Sequence, residues 1–154
     1  MIEWINNKFG LNLVEDEIKN VRDFSLTWNI FDNLVCQSEF SIRRIEVEYS
    51  IIDFTNEEIQ PYFEYFRNRY VAENVINERF NYLRFRSNDR EEFVRDVLLG
   101  NILDIKSKVL AITIIIYRFR NNLFHGLKDF RFINQQEKNF DNANNYLRII
   151  INKF

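Results

Sequence analysis

The chemistry most easily read from this chain lies within one short stretch, Tyr117-Arg118-Phe119-Arg120-Asn121-Asn122-Leu123-Phe124-His125-Gly126-Leu127-Lys128. It contains the only histidine of the 154 residues, and Arg120 stands five positions before that histidine. Arginine is always charged and presents a planar fork of donors that matches phosphate oxygens. Histidine, with an ordinary pKa of about 6.5, gives or takes a proton near neutrality. Cleaving RNA without a metal needs those two functions: a base for the ribose 2′-OH and a cation for the phosphate on which charge builds. A spacing of five does not stack two side chains on one face of a straight helix, where neighbours are three or four apart. The helix is therefore expected to end or turn between Arg120 and His125, or the pair to work with a second copy of itself. A structural reading of the same residues stands beside this one. Arginine and protonated histidine are both favoured in the last turn of a helix by its dipole.

Arg120-Asn121-Asn122-Leu123-Phe124-His125-Gly126 resembles the Arg-Asn-x-x-x-His motif of the HEPN superfamily, many of whose members are metal-independent ribonucleases. The resemblance implies that Arg120 binds the scissile phosphate and that His125 acts as base or acid. Asn121 would orient the phosphate or the catalytic pair. It also implies a homodimer, because HEPN ribonucleases bring two motifs together at the dimer interface. Arg118, Asn122, Lys128 and Arg131 are the polar residues around the motif expected to contact RNA. The segment Ser25-Leu26-Thr27-Trp28-Asn29-Ile30-Phe31-Asp32-Asn33-Leu34 resembles the first core helix of the same domains. One position departs from the family. HEPN toxins paired with a nucleotidyltransferase antitoxin often carry a tyrosine two residues after the histidine, and Leu127 stands there. That residue offers no phenol for nucleotide transfer.

The elements that must position these residues follow from composition and periodicity. Hydrophobic residues make up 46% and charged residues 29%, as in a globular domain; with only three Gly and one Pro, long packed helices are expected. The length fits one domain over residues 1–154. Cys36 is alone, which excludes an internal disulfide and a cysteine-rich zinc site. No phosphate-binding glycine loop, metal-spaced ligand set or Ser-His-Asp arrangement is present, so neither a metal nor a cofactor is expected. The N-terminus lacks the pattern of a signal peptide, and the longest apolar run, Val109 to Tyr117, is broken by Thr113 and far too short to span a membrane. A cytoplasmic protein is expected. The net charge of −2 is not that of a nucleic-acid coat protein, so RNA would have to bind at a local basic surface. Arg118, Arg120, Lys128 and Arg131 around the motif are candidates for it, and so is a second cluster, Arg79, Arg84, Arg86 and Arg90, for which a solvated face is the favoured reading.

Residues 13–37 read as a first long helix, with Val14, Ile18, Val21, Phe24, Trp28, Phe31 and Val35 stepping by three and four. Trp28 and Phe31 are read as core rather than as a platform for bases. Residues 38–54 fit helix spacing at Ile42, Ile45, Tyr49 and Ile52 but also alternate as a strand would; helix is favoured for want of a partner strand. Thr55 and Glu58 form a capping box, Pro61 suits the first turn of the next helix, and Tyr62, Phe63, Phe66 and Tyr70 give it an aromatic face. Residues 75–86 either continue that helix or begin another. Asn88 with Glu91 signals the cap of a short helix through Leu99, ended by Gly100. Residues 105–122 are the clearest helix, stepping through Ile105, Val109, Ile112, Ile116, Phe119 and Leu123. A loop over 129–134 and a last helix over 135–153 follow, with Phe140, Ala143, Leu147, Ile150 and Phe154 inward. The expectation is an all-α, HEPN-like four-helix bundle with additional helices inserted in the middle. The function expected is a metal-independent endoribonuclease, a toxin or antiviral-defence effector with an RNA substrate and an antitoxin or defence-system partner. The alternative is a non-catalytic dimerisation or nucleotide- or RNA-binding module of the same fold.

Overall fold

The computed structural model describes residues 1–126 and 129–154, and it is all-α apart from one small hairpin. A helix that periodicity did not announce opens the chain: α1 (Ile2–Phe9), ended by Gly10 in the left-handed region at φ 66°. It buries no residue of its own. The Asn6 side chain instead fixes its end, donating to the Leu13 carbonyl at 2.8 Å and accepting from the Leu13 N–H at 2.9 Å. The long helix α2 (Glu15–Leu34) follows, with Glu15, Asp16 and Glu17 in its positive first turn. Phe24, Trp28, Phe31 and Val35 are buried as expected, whereas Val14 is the exposed N-cap.

The ambiguous segment is a helix, α3 (Ile42–Ser50), capped by the Ser41 hydroxyl, which accepts from the Arg44 N–H at 3.1 Å. Next comes α4 (Asn56–Tyr70), which starts on the expected capping box: Glu58 N–H donates to Thr55 Oγ1 at 3.3 Å, and Thr55 N–H donates to Glu58 at 3.0 Å. Pro61 sits inside this helix, past the first turn. Its face of Phe63, Phe66 and Tyr70 is buried. Residues 75–86 do not extend it. Strands β1 (Val71–Ala72) and β2 (Val75–Ile76) pair antiparallel around Glu73 and Asn74, both with positive φ. Two left-handed turn residues match the twist of a hairpin. A 3-10 helix over Glu78–Leu83 completes the segment.

Helix α5 (Glu91–Leu99) begins at Arg90, without a side-chain cap, and ends as expected at Gly100, φ 83°. Asn88 is not its cap. The Asp89 carboxylate instead accepts from the Arg86 N–H at 2.7 Å within the preceding turn. Helix α6 (Ile105–Phe124) is capped by Asp104, which accepts from the Ser107 N–H at 2.9 Å. A 3-10 helix, Phe130–Gln136, replaces the expected loop, and α7 (Glu137–Ile151) closes the chain with Phe140, Ala143, Leu147 and Ile150 buried. Phe154 lies beyond α7 and is exposed.

α6 runs through the middle, touching α3, α4 and α5, while α2 lies along α7. From Val109 to Ile116 every residue of α6 is buried, and each fully buried Leu or Ile there contributes about 1.5–3 kcal/mol relative to exposure. Aromatic contacts join the layers: Phe24 to Phe140 at 4.9 Å, Phe66 to Phe119 at 5.8 Å and Phe40 stacked on Tyr117 at 4.0 Å between ring centres. Among the described residues, no helix is long and apolar enough to cross a membrane.

Candidate functional site

The end of α6 is anchored from inside the core. Thr113, the single polar residue in the apolar run, donates to or accepts from the Tyr49 hydroxyl at 2.9 Å and the Tyr146 hydroxyl at 2.8 Å. Tyr146 also donates to the Val109 carbonyl at 2.7 Å. Burial pushes the pKa of both tyrosines above the ordinary value, so these hydroxyls act as hydrogen-bonding groups and not as acids. One element thus carries the motif on a helix locked to α3 and α7.

Three turns further on the helix stops. Phe124 is its last residue, His125 is the C-cap with φ −92° and ψ 12°, and Gly126 takes up the left-handed conformation at φ 64°. The helix ends at Phe124, just before His125, which is one of the two arrangements the spacing allowed. The His125 N–H is held by the Asn121 carbonyl at 3.0 Å, and its imidazole side is exposed. Arg120 is half-buried; its NH1 donates to Asn121 Oδ1 at 3.1 Å, and its guanidinium lies 5.3 Å from the centre of the Phe124 ring. Asn121 is itself buried, and its Nδ2 has no hydrogen-bond partner among the described residues. Arg120 and Asn121 are thus brought together. Arg120 sits near the end of α6 and His125 on the cap that follows its last residue.

Two of the residues expected to contact RNA have a different role. Arg118 is 1% exposed. Its NH1 lies 2.9 Å from Asp89 Oδ2, its Nε donates to the Leu83 carbonyl at 3.0 Å and its NH2 to the Arg84 carbonyl at 2.6 Å. Burial lowers its pKa, and Asp89 opposes that shift. Asn122, also 1% exposed, donates through Nδ2 to the carbonyls of Tyr82 and Leu83 at 3.0 and 3.1 Å. Both residues bind the 82–84 backbone to α6 and are sealed from solvent, so neither presents its side chain to RNA. Arg131 is exposed, but it makes a fork on Asp129, with Nε to Oδ1 at 3.0 Å and NH2 to Oδ2 at 2.8 Å. That pair lowers the Asp129 pKa and raises that of Arg131. An exposed pair of this kind is weak and exchangeable. Lys128 lies outside the described residues.

The second arginine cluster divides. Arg86 and Arg90 are exposed, Arg90 pairing with Glu46 at 3.0 Å. Arg79 and Arg84 are exposed as well, and with the half-buried Arg69, from the last turn of α4, they line a cavity of about 210 Å³ that Phe119 and Asn122 of α6 also line. Arg69 had no distinguishing mark in the sequence, since a basic residue closing a helix is ordinary. Comparison of the chain with protein-family models, with curated proteins and with solved structures finds no match.

Proposed function

We propose that the protein is a metal-independent endoribonuclease, a toxin or antiviral effector of the HEPN type, acting at a site composed of two copies. The observation that carries this reading is Arg120-Asn121-x-x-x-His125 at the end of α6, with Arg120 braced by Asn121 and His125 exposed on the cap. In the step proposed, one His125 takes the proton of the ribose 2′-OH and the 2′ oxygen attacks phosphorus. The bond from phosphorus to the 5′ oxygen breaks, and the leaving oxygen takes a proton from the second copy's histidine. Arg120 holds the phosphate oxygens as negative charge grows on them. Products end in a 2′,3′-cyclic phosphate and a 5′-OH.

Two features support a second copy. One chain supplies a single histidine, so symmetry is the simplest way to gather a base, an acid and a cation. On α2, Leu26, Ile30 and Leu34 form a stripe, 65%, 40% and 55% exposed, on the side turned from the core. A non-catalytic binding module is the second reading. It is favoured by the sealing of Arg118 with Asp89, which leaves the motif with less free positive charge.

The test is purified wild type against His125→Ala on a mixed RNA pool, with and without EDTA. The expected result is cleavage that survives EDTA, leaves cyclic phosphate ends and falls by about 10²–10⁴-fold in the variant. Cleavage by both proteins alike, or only with added magnesium, refutes the mechanism. No cleavage by either leaves the binding-module reading ahead.

A further inference from the structure

We infer that the cavity beside α6 binds the phosphate of a small phosphorylated ligand of nucleotide size, on Arg69, Arg79 and Arg84. This does not rest on the ribonuclease reading and holds equally for a non-catalytic module. The three arginines come from three separate places: the end of α4, the 3-10 helix and the residue that caps it. Among the described residues none of the three is paired with a carboxylate, although eight such ion pairs form elsewhere. The helix dipole accounts for Arg69 but not for its convergence with the other two. Arg69 lies over the Tyr70 ring, and its Nε is buried without a hydrogen-bond partner among the described residues, leaving a charged donor that a phosphate oxygen would satisfy. The one carboxylate in the wall, Asp129, is already engaged by Arg131. One carboxylate against three guanidinium groups leaves the wall net positive.

The site is also built to hold its shape. Arg84 has its backbone at φ 54°, in the left-handed region that side chains rarely adopt. Backbone in such a conformation persists where its surroundings fix it. Here they do: Arg118 takes the Leu83 and Arg84 carbonyls and Asn122 takes those of Tyr82 and Leu83. The residues sealed at the end of α6 thus hold the arginine-bearing segment in place. Asn122 spends both amide hydrogens on that task, and its buried Oδ1 has no partner among the described residues. A second hollow of about 460 Å³ shares Arg69 and Arg79 and continues past Tyr65 and Lys138. Together the two offer room for a ligand larger than a bare phosphate ion.

Isothermal titration of the full chain with AMP, ATP, adenosine and inorganic phosphate at low salt tests this. AMP and ATP are expected to bind, adenosine not. Arg79→Gln with Arg84→Gln is expected to weaken AMP by about tenfold or more, the loss typical of charge-assisted bonds to phosphate. Arg43→Gln with Arg148→Gln, the same charge change at exposed positions elsewhere, leaves binding unchanged. Inorganic phosphate binding as tightly as AMP supports the arginine site and assigns it to free phosphate. The inference is overturned if no phosphate compound binds, if adenosine binds as well as AMP, or if the folded Arg79/Arg84 variant keeps its affinity. It is also overturned if that variant loses only binding to a single-stranded RNA oligonucleotide.

Discussion

Arg118 and Arg120 stand two positions apart on one helix, and the fold gives them opposite tasks. Arg118 is closed in with Asp89 and two carbonyls, so Arg118→Ala strands a buried carboxylate and is expected to cost about 3–5 kcal/mol. Arg120→Ala removes one bond to Asn121 and a ring contact and is expected to shift thermal unfolding far less. Equal losses in the two variants, measured by thermal denaturation, would mean that Arg120 is a structural residue too. Nothing local to the sequence separates them, because what buries Arg118 lies some 34–35 residues upstream. Thr113 is a milder case. The sequence shows it only as a break in an apolar run, yet it satisfies two tyrosine hydroxyls. Thr113→Val keeps the shape and removes the shared hydroxyl, so denaturant titration should show a loss of about 1–3 kcal/mol.

Among the elements, legibility followed whether the signal was local. The capping box at Thr55 and Glu58, the glycine stop at Gly100 and the apolar period of α6 are written in adjacent residues, and each element formed where they placed it. The hairpin over 71–76 was not legible, because Glu73 and Asn74 hold positive φ without the glycine that usually marks such a turn. Helix α1 escaped because it buries no residue of its own, and its ties, Asn6 to Leu13 and Phe9 to Phe130, have no helical spacing. The cap of α4 also reaches beyond its own helix. Lys153 donates to Glu58 Oε1 at 2.7 Å, tying the far end of the chain to the start of α4. That hydrogen bond first, and the Thr55 N–H second, hold the Glu58 carboxyl at about 2 from an ordinary 4.5. A depressed carboxyl stabilises the fold fully above its ordinary value, and the contribution fades as pH falls toward about 2. Glu58→Gln is therefore expected to be less stable than wild type at neutral pH, with the two denaturation curves converging as pH drops through that window. A gap that stays constant down to pH 2 would remove Glu58 from the acid response.

At the scale of the whole molecule, the proposed reading needs two copies of the motif. α6 carries Arg120 and Asn121 near its end and His125 on its cap, while Arg118 and Asn122 are buried in structural roles. The all-α class was readable from composition and period, and so was the helix end at the motif. The completeness of the site was not, since a relation between two copies leaves no spacing in one chain. The Leu26–Ile30–Leu34 stripe gives that relation a place to form, because three apolar side chains at helical spacing on a solvent-facing side gain by pairing with their symmetry mates. Leu26→Lys with Ile30→Lys puts two like charges on each face of such an interface while leaving the core of α2 untouched. Size exclusion with light scattering is expected to show wild type as a dimer and this variant as a folded monomer. Cleavage should fall with dimerisation, although Arg120, Asn121 and His125 are all still present. A wild-type protein that is monomeric at the concentration of the cleavage assay, or a monomeric variant that cleaves at the wild-type rate, would exclude the composite site.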